Sequence, residues 1–535
     1  MTAATQVDPS LSGRVVRESG ASFIRLMQAF RFEPCEGAQF DRWVHRLSQA
    51  GGRSEQAVDH SDATACQWRV TSGDALRDRF REWIMSPQAI ALAGRDQGTP
   101  RRRLAWIDLD SGWLESAAGH GFGRSMQWEV RPQGKYRSAA IPVQFRSLQV
   151  MLGEAGIGYL IWELGVESEN LDDWVEALHA CRLYRNRRES GFYVTRRTGP
   201  DTNVPEVPGA FRRGMEFDAR PHSERRDAQQ AGLSLMDAGS AVLWDLAQHG
   251  PPAMRGTRQW WKKVDSHHAL RAYAAFTIVG AATDAKDRQR LLYRISELAP
   301  TTRPLHAAAE DLAPDRASLS AYADGVQFVA TREMCAYVAF DPPGVAGDSA
   351  GFFRSGMPSH LRDRYQWALL LTLYQKHALE SLREAVVLAE DHLHDRAHLH
   401  RLRERAAVIR SAVFMVETMT QSHHVKFEQF LRQVMQLDRV YELTSGSMDD
   451  IDEFAERAHE RWRRAFGRTT SVVAGGFTLV LACLAFLSVN IREITTEREG
   501  MQLVHVLIAA GLVFVMGIGL AWGSHVLFDR PQRRG

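Results

Sequence analysis

The chain has 535 residues and a mass of 60.2 kDa, which is too long for one hydrophobic core and favours two or more domains. Hydrophobic residues make up 44% and charged residues 24%, a globular composition that excludes a wholly disordered or fibrous protein. The net charge of +2 argues against a nucleic-acid partner, and the 5 scattered cysteines argue against a disulfide scaffold or zinc ribbon.

The N-terminal 345 residues predict an α/β (or α+β) cytoplasmic domain, because the start of the chain lacks the features of a signal peptide and strand-like runs alternate with helical ones. Residues 1–100 are predicted as an N-terminal extension of this domain, with helices over 22–32 and 75–85. Within 101–345, strands are predicted at 104–109, 126–130, 158–164, 191–194, 274–279 and 326–340, and helices at 171–184, 228–248 and 284–298. Residues 199–225 are rich in Pro, Gly, Arg and Asp and predict an exposed loop.

Residues 353–468 predict a long helical stalk, because glycine becomes rare and apolar residues recur at spacings of three and four. Two runs that lack Asp, Glu, Lys and Arg follow, at 469–491 and 501–528. Each is long enough for a transmembrane helix, and two buried core helices are the alternative.

The charges around these runs predict their orientation. Arginines precede the first run and form the basic tail 529–535 after the second, whereas the connection 492–500 is acidic. Since positive flanks stay in the cytoplasm, the pattern predicts a multi-pass inner-membrane protein with both termini cytoplasmic, an outer loop and membrane lipid as a partner.

A candidate metal site lies on the stalk. Asp391, His394, Asp395 and His398 share one helix face, and imidazole with carboxylate suits a divalent cation. The other interpretation is a solvated polar face or a helix end. In the first apolar run, small and polar residues at spacings of three and four form a stripe that predicts either close helix packing or a pore lining: Thr470 or Ser471, Ala474 or Gly475, Thr478, Ala482, Ala485 and Ser488.

This arrangement resembles the CorA family of divalent-cation transporters. The family carries a Gly-Met-Asn signature at the outer end of its first span, where this chain has Ser488, Val489 and Asn490. The resemblance implies a homopentamer in which the first span lines the pore, with Mg²⁺ or another divalent cation as substrate or regulator and no other cofactor. The implied ion pathway comprises Asn490, Ser488, Ala485, Thr478 and Thr470, and the implied basic ring at the cytoplasmic mouth comprises Arg530, Arg533 and Arg534.

The acidic outer loop supplies a further hypothesis. Five copies of Glu493, Glu497 and Glu499 would form an acidic ring that concentrates cations, and the alternative is that these glutamates only keep a short loop soluble.

Two functions remain open on the sequence. The first is a CorA-like cation transporter or channel gated by a cytoplasmic domain that senses a ligand or ion. The second is a divergent membrane effector whose soluble domain binds a signal and whose hairpin permeabilises the membrane. An enzyme is not expected, because the sequence shows no catalytic constellation.

Overall fold

One large mixed β-sheet organises the fold in the computed structural model of the protein. The described part of the chain comprises residues 14–17, 20–33, 37–52, 68–71, 104–109, 126–132, 141–182, 190–196, 270–280, 285–299, 318–320, 324–341, 352–389 and 422–446, with shorter pieces between and after them.

The sheet contains 14 strands within the described residues. They are β1 Arg14–Val15, β2 Phe23–Phe32, β3 Trp68–Val70, β4 Leu104–Leu109, β5 Met126–Pro132, β6 Ile141–Gly153, β7 Ile157–Val166, β8 Ser190–Arg196, β9 Leu233–Ser234, β10 Trp261–Lys263, β11 Arg271–Val279, β12 Ser318–Ser320, β13 Val326–Ala330 and β14 Met334–Phe340. The main path runs β12-β13-β14-β11-β2-β7-β6-β5-β8-β9, and β1, β3, β4 and β10 pair at its sides. β11 and β14 pair in parallel, while β2 pairs antiparallel with both β11 and β7 at the centre.

The helices follow in chain order. They are α1 Gly37–Gly52, α2 Leu171–Arg182, α3 Ala285–Ser296, α4 Met357–His360, α5 Gln366–Ala389 and α6 Ser422–Val434. Two π-helical turns, Phe352–Gly356 and Leu361–Tyr365, flank α4 and join it to α5 as one helical run.

One face of the sheet packs against α1, α2 and α3. Alternate side chains of β2, such as Ile24 and Leu26, belong to a buried apolar cluster with residues of these helices, as the period of two in a strand requires. Ring contacts mark the packing: Phe32 meets Trp43 of α1 at 5.4 Å between centroids, and Phe276 meets Trp174 of α2 at 5.9 Å.

The opposite face is covered by the helical run after residue 352. Tyr159 of β7 is hydrogen bonded to His377 of α5 at 2.7 Å between Oη and Nδ1, and Trp106 of β4 contacts Trp367 at 4.7 Å between centroids. Helices therefore cover both faces, and the central strands are buried on both sides.

Most predicted strands are confirmed, but the predicted helix at 22–32 is wrong. These residues form the central strand β2, whose side chains are nearly all buried. The Leu, Met, Gln and Ala in this segment favour helix in isolation, and burial between two layers of helices overrides that preference.

The predicted transmembrane hairpin, and with it the classification of the chain as a membrane ion channel, is corrected by the structure. Among the described residues, no helix is long and apolar enough to cross a membrane. Even α5, with 24 residues, carries Lys376, Glu380, Arg383 and Glu384, so it lacks the uninterrupted apolar length that a bilayer requires. Most of the two runs at 469–491 and 501–528 lies outside the described residues.

The chain divides into two units, one of residues 1–385 and 403–445 and the other of residues 386–402 and 446–535. The sheet and its strands belong to the first unit. The sequence-based boundaries at residues 100, 345 and 468 stay predictions.

Candidate functional site

A buried carboxylate joins the sheet to the helical run. Glu163 of β7 accepts hydrogen bonds at Oε2 from Arg25 of β2, at 2.8 Å from Nε and 2.6 Å from Nη2. Its other oxygen, Oε1, accepts a hydrogen bond from Arg362 Nε at 2.9 Å. The side chains of Arg25 and Glu163 are only 5% and 6% exposed, so this ion pair lies inside the protein.

The strand register explains why these groups meet. Arg25 and Glu163 are directly paired across the antiparallel β2–β7 ladder, and both point to the face that the helical run covers. Phe23, two residues before Arg25, presents its ring to the same place, with the Arg362 guanidinium 4.3 Å from the ring centroid.

The two arginines decide the charge state of Glu163. Burial by itself raises the pKa of this carboxyl, but the charges of Arg25 and Arg362 and their hydrogen bonds outweigh burial and hold the pKa below 4.5. Glu163 is therefore ionised at neutral pH.

Arg362 stands in an irregular turn of the helical run. It belongs to the π-helical turn Leu361–Tyr365, a type of irregularity that is frequent at functional sites. Its main-chain carbonyl accepts a hydrogen bond from Arg25 Nη1 at 3.0 Å, and its own Nη2 donates to the Gly20 carbonyl at 2.9 Å. The start of the helical run is thus held to β2 and β7 through both its side chain and its backbone.

Arg146 is the third arginine of the site, and a β-bulge places it there. The β6–β7 register shifts between Phe145 and Ser147, so Arg146 is the extra residue of β6. Bulges re-aim side chains and are common next to functional sites. Arg146 Nη1 donates to the Ser22 carbonyl at 3.1 Å, and its guanidinium lies over Gly165, where a Cβ would come within 2.5 Å of Nη2.

A glycine in a left-handed conformation lies next to two of these arginines. Gly20 has φ +68°, which side chains other than glycine rarely adopt. A Cβ at this position would lie 3.0 Å from Arg362 Nη2 and 3.6 Å from Arg146 Nη1. The lack of a side chain at Gly20 thus lets two guanidinium groups approach this turn. The charge of Arg17 also acts on Arg146, and we refer to Arg17, Arg25, Arg146, Glu163 and Arg362 as the arginine cluster.

The electrostatic balance of the arginine cluster is positive. The pKa of Arg146 is lowered by burial and by the charges of Arg362 and Arg17, with Glu163 acting in the opposite direction. Despite this lowered pKa, Arg146 keeps its proton, as arginines in proteins do. The cluster therefore holds four positive charges around one carboxylate, and it joins the sheet to the helices.

The structure describes few of the site residues predicted from sequence. Thr470 and Thr478 are helical and exposed, and their hydroxyls donate to carbonyls of their own helix, those of Phe466 and Ala474. The remaining members of the predicted pathway and rings lie outside the described residues: Ala485, Ser488, Asn490, Glu493, Glu497, Glu499, Arg530, Arg533 and Arg534.

The predicted metal site, Asp391, His394, Asp395 and His398, also lies outside the described residues. Within the part of the chain that is described, no group of three or more His, Cys, Asp or Glu is placed to hold a metal ion.

Sequence reasoning missed the arginine cluster because its members are far apart in the chain. Arg25 and Glu163 are separated by 138 residues, and Arg362 lies 199 residues beyond Glu163. One signal was visible: Glu163 interrupts the otherwise apolar run of β7, and a charge in a buried strand requires a partner.

The chain was compared with protein-family models, curated proteins and solved structures, and none of them matches.

Proposed function

We propose that the described body is a sensor domain. A ligand that binds at the arginine cluster changes how tightly the helical run after residue 352 is held to the sheet. The observation that carries the proposal is the division of one carboxylate between two elements. Glu163 gives one oxygen to Arg25 of the sheet and the other to Arg362 of the helical run.

A buried carboxylate that is shared by two elements can couple their positions. Interactions of buried charges are strong and geometrically demanding, so a change in the charge near Arg362 alters the balance between its pairing with Glu163 and other contacts. Arg146 supplies such a charge, since it repels Arg362 without bonding to the helical run. A ligand that binds with different affinity to two arrangements of Arg25, Glu163 and Arg362 would shift the population between them.

Sensing is the step that both sequence-based functions share. The divalent-cation substrate, the effector role and localisation at the inner membrane stay predictions, because no described contact tests them, whereas the transmembrane hairpin and the channel classification are corrected above.

Hydrogen exchange of the purified full-length protein tests the proposal. Arg146→Gln removes a charge that repels Arg362, so the Arg362–Glu163 pair should tighten and peptides from 352–389 should exchange more slowly. Arg290→Gln on α3 is the matched control, because Arg290 is bonded to Asp287 on the same helix surface. The control should leave exchange in 352–389 unchanged.

The proposal fails if the effect of Arg146→Gln stays within β6 and β7. It also fails if Arg290→Gln changes exchange in 352–389 as much as Arg146→Gln does.

A further inference from the structure

We infer that Arg146 and Arg362 at Gly20, with Arg17 three residues before Gly20 in the chain, bind a phosphate-type dianion. The inference names the ligand class of the proposed sensor and in that respect rests on it. Binding itself is measured without reference to the helices, so the two proposals can fail separately.

The first step is the unbalanced charge. Both oxygens of Glu163 are engaged, one by Arg25 and one by Arg362. Among the described residues, neither Arg146 nor Arg17 has a carboxylate partner, and the hydrogen bond from Arg146 goes to the neutral carbonyl of Ser22. Glu163 attracts Arg146, but its oxygens are already bonded to Arg25 and Arg362, so the charge of the partly buried Arg146 is incompletely compensated and an anion would lower that cost.

The second step is the geometry. Three separate backbone irregularities converge here: the bulge at Arg146, the π-helical turn at Arg362 and the positive φ of Gly20. Such features cost free energy and are kept where the surrounding structure or the function requires them. Together they bring the guanidinium groups of Arg362 and Arg146 to the same turn, 3.0 Å and 3.6 Å from the position that a Cβ at Gly20 would take.

Access is the third step. Solvent exposure increases across the site. Arg25 and Glu163 are buried, Gly20, Arg146 and Arg362 are partly exposed, and Arg17 is exposed. The ion pair of Arg25 and Glu163 forms a floor, and the remaining arginines form a rim that solutes in water can reach.

The ligand class follows from the donors. A guanidinium group presents paired N–H donors that match the oxygens of phosphate, and several such groups around one position favour an anion with more than one charge. One carboxylate would neutralise a single positive charge of the rim, whereas a phosphate dianion neutralises two. A phosphate group, free or as part of a larger molecule, is therefore the expected ligand.

Isothermal titration calorimetry of the full-length protein tests the inference, with inorganic phosphate, pyrophosphate and acetate as probes at constant ionic strength. Phosphate or pyrophosphate should bind and acetate should not. Tighter binding of pyrophosphate would indicate a ligand with linked phosphates, and tighter binding of inorganic phosphate would indicate a single phosphate group.

Three variants define the site. Arg146→Gln and Arg17→Gln each remove one rim charge and should weaken binding about tenfold, the effect of losing one charge-assisted hydrogen bond. Gly20→Ala keeps every charge but adds a methyl group 3.0 Å from Arg362 Nη2 in a left-handed turn, so the guanidinium groups must shift and binding should weaken at least as much. Arg290→Gln is the matched control and should bind as the unaltered protein does, and far-ultraviolet circular dichroism should show every variant folded.

The inference is overturned if the unaltered protein binds neither phosphate nor pyrophosphate, or if acetate binds as tightly. It is equally overturned if Arg17→Gln and Arg146→Gln both retain the affinity of Arg290→Gln. Arg17 is exposed, so Arg17→Gln keeps the test valid even if another variant fails to fold.

Discussion

At the scale of single residues, Glu163 carries a buried negative charge that two arginines share. It is the carboxylate that faces the buried guanidinium of Arg25 and the half-buried guanidinium of Arg362. A buried ion pair contributes little net stability compared with an apolar pair of the same size, but removal of one partner leaves an uncompensated charge.

We expect Glu163→Gln to lower the free energy of unfolding by about 3–5 kcal/mol, measured by urea denaturation at pH 7. The depressed pKa of Glu163 gives the sign of the pH dependence: its stabilisation is complete above pH 4.5 and is lost as the pH falls through the folded pKa. Glu163→Gln should therefore remove part of the acid sensitivity of the protein below pH 4.5.

The control for this prediction is Glu384→Gln, which breaks the ion pair of Arg31 with a glutamate whose side chain is 63% exposed. This change should cost about 1 kcal/mol or less, because exposed ion pairs contribute little. Equal costs for the two variants would mean that the Glu163 pair behaves as a surface pair.

At the scale of elements, the docking of α5 on the sheet depends on a glycine. The ring of Tyr374, which is 1% exposed, lies directly over Gly153 at the end of β6. A Cβ on Gly153 would come within 2.3 Å of Tyr374 Cε2, which real contacts essentially never allow.

Gly153→Ala should destabilise the protein by about 1–3 kcal/mol, the usual cost of overpacking a core. Tyr374→Leu removes the opposing ring, so the cost of Gly153→Ala should fall in that background. A double-mutant cycle by urea denaturation measures the coupling. Additive effects of the two substitutions would show that the clash is relieved by movement of α5 as a whole.

At the scale of the whole molecule, buried neutral histidines make the fold sensitive to pH. Burial lowers the pKa of His377 well below 6.5, and the charges of Arg271, Lys376 and Arg31 add to this effect. Burial, followed by the charges of His423, Arg364 and His360, lowers the pKa of His424 to about 3.

The unfolded chain takes up protons at these histidines near pH 6.5, whereas the folded protein does not. The free energy of unfolding is therefore unaffected by these histidines above pH 6.5 and falls as the pH drops toward the folded pKa, by about 1.4 kcal/mol per pH unit for each histidine.

His424→Phe should remove one such contribution. The His424 ring is fully buried against the rings of Tyr365 and His423, and neither of its ring nitrogens has a hydrogen-bond partner among the described residues. Phenylalanine fills a similar volume without unsatisfied polar atoms, so the variant should be at least as stable at pH 7.

Urea denaturation between pH 7 and pH 5 measures this effect, and His424→Phe should show a visibly smaller loss of stability. His45→Gln at an exposed position of α1 is the control and should keep the slope of the unaltered protein. A slope for His424→Phe that equals that of the control would contradict a neutral buried His424.

The sequence by itself determined the mixed α/β class, the helices α2 and α3, and half of the 14 strands, namely β4, β5, β7, β8, β11, β13 and β14, because apolar periodicity is a local property. β4 begins and ends at the predicted residues, and α2 and α3 lie within their predicted ranges. Strand β6 was not predicted, and β2 was predicted as helix. Both segments lie in the interior of the sheet, where partners distant in the chain decide the conformation.

Only the tertiary structure decided which charged residues matter. Arg25, Arg146, Glu163 and Arg362 come from β2, β6, β7 and the helical run, and no local spacing connects them. Strand register brings Arg25 to Glu163, a bulge turns Arg146 toward them, and a π-helical turn adds Arg362. Periodicity reports which face of an element is buried, whereas the meeting of charges depends on how the elements pair, and pairing is settled only when the whole sheet forms.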